Sequence, residues 1–179
     1  MEYIKIVLLC VVASIIYGII HDMFTAHICV EYFTIFHPPI FGGTQSPILL
    51  ALGWGVIATW WMGVLLGIPL AVFAQIGVNP KRDAKSLIRP LAILLVVMAV
   101  CSITAGIIGF NSAKSGDFIV WKDMASKIPP EKHVVFLADL AAHNASYAVG
   151  AIGAIVLMII IAISRAIEGK KIKKENLPE

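Results

Sequence analysis

Three of the chain's five histidines and two of its carboxylates fall between His21 and Pro39, directly after an apolar run. Such groups ligate metals, carry protons or pair with one another, and beside a membrane segment they are costly enough to need a task or a partner. His27 and Glu31 are four residues apart. So are Asp139 and His143 in the last apolar run, with Tyr147 one turn further on. Residues four apart share a helix face. Two His–carboxylate pairs on facing helices could bind zinc, iron, manganese or copper. The candidate metal ligands are therefore His21, His27, Glu31, Asp139 and His143, with Asp22 and Tyr147 as supporting polar groups. The i, i+4 spacing suits helix-borne ligands, but it is not the Glu-x-x-His spacing of di-iron bundles. The competing reading is a hydrogen-bonded network that fixes the first helix against the last.

The elements that must position these groups are membrane helices. The chain has 179 residues, 59% hydrophobic and 14% charged, against roughly a quarter charged for a soluble domain. The expected fold is all-α: one antiparallel bundle of four transmembrane helices over residues 1–167. The helices are expected at about 3–37, 48–76, 90–110 and 131–167, with a basic cytoplasmic tail over 168–179. Lys5 before an apolar run resembles a signal peptide, but no small-residue cleavage site follows, so the run reads as a retained helix. Pro38-Pro39 ends the first helix, and Pro69 is expected to kink the second. A short interfacial helix is expected around Phe118–Ile128, with Trp121 at headgroup level.

Gly55, Thr59, Gly63 and Gly67 repeat every four residues, as do Ala138, Ala142, Ser146, Gly150 and Ala154. Small residues at that spacing let another helix approach closely. Lys81, Arg82, Lys85 and Arg89 crowd one turn, the tail carries four lysines, and the segment after Pro38 has no Lys or Arg. The positive-inside rule then puts both termini and the basic turn in the cytoplasm. Counted from Lys5 and from Arg165, His27 and His143 lie at equal depth, and so do Glu31 and Asp139, roughly 33 and 39 Å along their helices. The first and last helices are therefore expected side by side, with these pairs level.

Other signals are weaker. His37 reads as a loop residue and His133 as solvated. No mid-span pair of histidines suits haem. Asp139, His143 and Ser146 share one helix and cannot close a hydrolytic triad. Asn144-Ala145-Ser146 fits the glycosylation pattern but lies within a helix. Cys10, Cys29 and Cys101 are isolated, which argues against a disulfide framework. Nothing indicates nucleic-acid binding.

The runs His21-Asp22-x-x-Thr25-Ala26-x-x-Cys29-x-Glu31-Tyr32-Phe33-Thr34-x-x-His37-Pro38-Pro39 and Leu52-Gly53-Trp54-Gly55-Val56-Ile57-Ala58-Thr59-Trp60-Trp61 resemble an uncharacterised family of small bacterial membrane proteins. The resemblance implies four helices and a bacterial cytoplasmic membrane, and carries no activity. Three function classes remain open. One is a metal-binding membrane protein with redox or hydrolytic chemistry. Another is a transport or proton-conducting subunit. The third is a structural subunit, with a second copy or a membrane complex as partner beside the lipid bilayer. Whether the chain is an enzyme stays open at this point.

Overall fold

The computed structural model describes residues 1–176. They form α1 (Glu2–Ile28), α2 (Val30–Thr34), α3 (Pro47–Ile57), α4 (Trp60–Gln75), α5 (Ala84–Ser115), α6 (Lys122–Ala125) and α7 (His133–Glu175), with a 3-10 turn at Pro130–Lys132 before α7. Four helical stretches are long and apolar enough to cross a membrane: Glu2–Ile28, Pro47–Gln75, Ala84–Ser115 and Pro130–Glu175. Their outward faces are rows of large apolar residues, such as Ile4, Leu8, Val12, Ile16 and Ile20 on α1.

Several expected bounds move. The first helix does not run to residue 37. Cys29 adopts φ −146° and ψ 88°, an extended geometry that separates α1 from the one-turn helix α2. The second stretch is interrupted at Ala58–Thr59, where Thr59 Oγ1 donates to the Gly55 carbonyl at 2.5 Å. That local bond competes with the helical ladder. Helix α4 continues through Pro69. The third stretch starts six residues before Pro90, because Asp83 caps it by accepting from the Ser86 amide at 2.9 Å. It ends at Gly116, whose φ of 85° only glycine adopts freely. The interfacial helix shrinks to α6, four residues long. The last helix runs on to Glu175, so most of the basic tail is helical. The end of that tail, 177–179, lies outside the described residues.

The helices associate as two pairs, α1 with α3–α4 and α5 with α7. In the first pair a Cβ on Gly55 would strike Ile19, one on Gly63 would strike Val11, and one on Gly67 would meet Cys10. In the second, Gly109 meets Ala141, Gly106 meets Ala142 and Gly150 meets Met98. In both pairs residue numbers run in opposite order along the contact. Only small residues permit such approach, and dispersion between close backbones then holds the helices together.

Each end of the bundle is closed differently. At one end Arg165 of α7 is buried. Its guanidinium donates to the carbonyls of Phe73, Ile76, Asn79 and Pro80, and so caps the end of α4 and the turn after it. Glu2 accepts from the Ala84 amide at 3.2 Å, and Arg82 pairs with Glu168 at 2.7 Å. At the other end Tyr32, Phe33, Trp54, Ile128 and Phe136 form an aromatic-rich core under the loops. Between this core and a second apolar cluster around Ile6, Leu70, Leu87 and Leu157 lies the polar site.

Candidate metal centre

The one group among the described residues whose ligand atoms could share a metal is His21, Asp22 and His143, with those atoms all within 4.8 Å of one another. His21 and Asp22 sit about two turns before the end of α1, and His143 lies on α7. His143 Nε2 is 3.4 Å from Asp22 Oδ1. Its Nδ1 is 3.0 Å from the Asp139 carbonyl oxygen and 2.8 Å from Asp139 Oδ1. The Asp139 carboxylate oxygens have no hydrogen-bond partner among the described residues, so the Nδ1 proton belongs to the carbonyl and the contact with Oδ1 is electrostatic.

The neighbouring bonds fix both imidazoles. Ser102 Oγ has one proton, which it donates to the Ala142 carbonyl at 3.0 Å. The same oxygen lies 3.4 Å from His21 Nδ1 and therefore accepts from it. With Nδ1 carrying hydrogen, a neutral His21 presents a lone pair at Nε2, and His143 either offers its Nε2 in the same way when neutral or, when protonated, is itself the cation between Asp22 and Asp139. His21 Nε2 is buried without a partner among the described residues, and His143 Nε2 faces a carboxylate. Metal-binding histidines commonly give their other N–H to a backbone or side-chain oxygen in this way. Tetrahedral ligands about 2.1 Å from a metal stand about 3.4 Å apart, which is the His143–Asp22 separation.

Aromatic rings hold the imidazoles in place. The His143 ring stacks on Tyr32 at 4.3 Å and meets His21 edge-on at 4.5 Å. Tyr17 stacks on His21 at 5.8 Å, and its hydroxyl is 2.8 Å from Ser146 Oγ. A cavity of about 100 Å³ lies beside the cluster, between the two helix pairs. It reaches His37 and Trp54 at one end and Cys10 and Leu157 at the other. Tyr147 lines the cavity, while Tyr17 makes the polar contact with Ser146.

The expected set is only partly assembled. His21, Asp22, Asp139 and His143 come together. His27 does not: it is exposed and its Nδ1 bonds the Met23 carbonyl at 2.6 Å. At 100° per residue, His27 points away from the face that carries His21 and Asp22. Glu31 lies beyond the break at Cys29 and pairs with Lys132 at 3.2 Å. Burial opposes ionisation of Glu31, but its hydrogen bonds and Lys132 outweigh this and lower its pKa. The expected levelling of His27 with His143 and of Glu31 with Asp139 is therefore incorrect. Asp22 stands opposite His143 and Tyr17 opposite Ser146. Continued along both helices, this register sets Lys5 opposite residues near 160, about a turn and a half from Arg165. The two anchors are not level, because Arg165 is folded into the α4–α5 turn. The adjacency expected of the first and last helices reduces to a brief meeting at this cluster, since each packs mainly on another partner.

Sequence spacing alone missed Tyr17, Tyr32, Ser102 and His37. The Tyr17–His21 spacing of four was a usable signal, whereas Tyr32 reaches His143 only because of the break at Cys29. His37 is half-buried rather than a free loop residue, with Nδ1 donating to the Tyr32 carbonyl at 2.9 Å. His133 bonds the Ile128 carbonyl at 3.0 Å. The Cys29 thiol is pushed up to about 12 by burial, so it is no thiolate ligand. No protein-family model, curated protein or solved structure matches the chain.

Proposed function

We propose that this is a multi-pass membrane protein that holds a divalent transition metal at His21, Asp22 and His143. The observation that carries the reading is the clustering of two imidazoles with buried carboxylates that no Lys or Arg balances among the described residues. Neither Asp22 nor Asp139 pairs with a Lys or Arg among the described residues. Buried charge is costly unless it is paired or coordinates a metal. A divalent ion held there would offset the carboxylates, and three protein ligands would leave it able to take a further ligand. Two histidines and one carboxylate suit zinc or ferrous iron. An open position is what a hydrolytic or redox metal site requires, so enzymatic activity is the form of the proposal that assigns the cavity a use.

The bundle is antiparallel in the bilayer. The end bearing Arg82, Arg165 and the tail lysines faces the cytoplasm, and the metal site lies nearer the outer surface. The resemblance of residues 21–39 and 52–61 to a bacterial membrane family supports a bacterial cytoplasmic membrane as the location. The test is metal analysis of protein purified under metal-replete conditions. The parent should carry close to one equivalent, His143→Ala should lose about tenfold or more, and His27→Ala should keep it all. A folded parent without metal leaves the second reading, in which His143 merely ties α1 to α7 through Asp22, as the direct contacts favour.

A further inference from the structure

On its other side, His21 borders a second space. A groove of about 750 Å³ runs between α1 and α5, floored by α7. It opens sideways between two outward rows, Ile20 and Phe24 on α1 and Ile103 and Ile107 on α5, each more than half exposed. Within a membrane this opening meets lipid, not water. We propose that the groove binds a single-chain membrane amphiphile with a neutral hydroxyl head, which donates a hydrogen bond to Asp139.

Asp139 supplies the reason. It lines this groove and not the cavity between the helix pairs. The residue is only 2% exposed, and its Oδ2 has no hydrogen-bond partner among the described residues. A buried acceptor left open requires a donor. Of the groove's other polar groups, His21 Nε2 also lacks a partner among the described residues and belongs to the cluster with Asp22 and His143, whereas the hydroxyls and the amide are engaged. Ser102 donates to Ala142, Thr25 to the His21 carbonyl at 3.2 Å, and Asn111 to the Ile107 carbonyl at 3.0 Å. Among the described residues no Lys or Arg lines the groove, so a phosphate head would meet a carboxylate with no counter-charge. A hydroxyl fits, since it can donate without carrying charge.

Depth and size agree with that occupant. Asp139 lies six residues into α7, about 9 Å from its start. From there the groove continues towards Ile16 and Leu95, deeper along both helices. The head therefore sits near the outer surface and the chain points to the middle of the bilayer, as for a lipid of that leaflet. The volume is within the range of small-molecule sites. The proposal rests on the membrane reading above but not on the metal.

The test uses the intact protein in lipid nanodiscs and two probes, 4-dodecylphenol and its methyl ether, 4-dodecylanisole. The phenol should bind saturably, and the ether, which cannot donate, at least about tenfold more weakly. Ala99→Trp, which fills the groove away from the polar cluster, should abolish binding of both. Asp139→Leu should remove the preference for the phenol. Where that variant fails to fold, the comparison of phenol with ether on the parent decides. Equal binding of the two probes by the parent, or phenol binding that survives Ala99→Trp, overturns the proposal. Metal content is measured on the same samples. A metal-free parent that still prefers the phenol overturns the metal reading alone.

Discussion

His37 sits beneath the loop between α2 and α3, with its ring 5.9 Å from Phe33 and 4.6 Å from Trp54. Burial holds its pKa below the ordinary 6.5; the bond to the Tyr32 carbonyl opposes this, His143 adds to it and Asp22 offsets part. The sign follows from linkage. Near pH 6.5 the unfolded chain takes up a proton that the folded chain still refuses. The contribution to stability is complete above 6.5 and is lost as pH falls through the lowered value. Thermal unfolding should therefore weaken more steeply below pH 6.5 in the parent than in His37→Gln, and equal slopes would refute this. Glu31 is also lowered, but from 4.5, so its loss comes at more acid pH. At this scale the sequence was an uneven guide. Residue types named His21, Asp22, Asp139 and His143 as candidates, because ionisable groups are rare in apolar runs. His27 and Glu31 looked equivalent by the same rule, and only the rotation of α1 and the break at Cys29 separate them.

Gly55, Thr59, Gly63 and Gly67 are the side of the α3–α4 stretch that meets α1, and that spacing could be read directly from the chain. A Cβ at Gly63 would lie 2.5 Å from the Val11 Cα atom, a backbone atom that cannot swing aside. Gly63→Leu should therefore destabilise the protein by about 1–3 kcal/mol, the usual cost of overpacking. A detergent denaturation midpoint equal to the parent's would sink this. The break at Cys29 was less legible. Phe24, Ile28, Tyr32 and Phe36 kept helical spacing straight across it, and no proline or glycine marks the position. The backbone turns there because Tyr32 and Phe33 are both buried in the aromatic core, a demand of packing that periodicity does not record. Asp83 was legible as a helix cap in principle, but Pro90 offered a competing start.

For the whole molecule, hydropathy suffices to mark four long apolar helices, and the distribution of Lys and Arg suggests which end faces inward. A cysteine placed at Gly43, in a Cys101→Ser background, should react with an impermeant label added outside, and one placed at Lys85 should not. The reverse pattern would invert the orientation proposed here. How the helices pair is not written in hydropathy, since every outward face is equally apolar. The pairing instead follows where glycines and alanines allow contact, and the site forms where the two pairs meet. Arg165 carries a further consequence, for biogenesis. Its carbonyl partners precede it by 85 to 92 residues, so they leave the ribosome long before it does. Until the last segment is in place, the end of α4 and the turn after it have four backbone acceptors that lack this guanidinium. The arginine thus acts as a completion mark: a chain cut short before it leaves that end of the bundle unsealed.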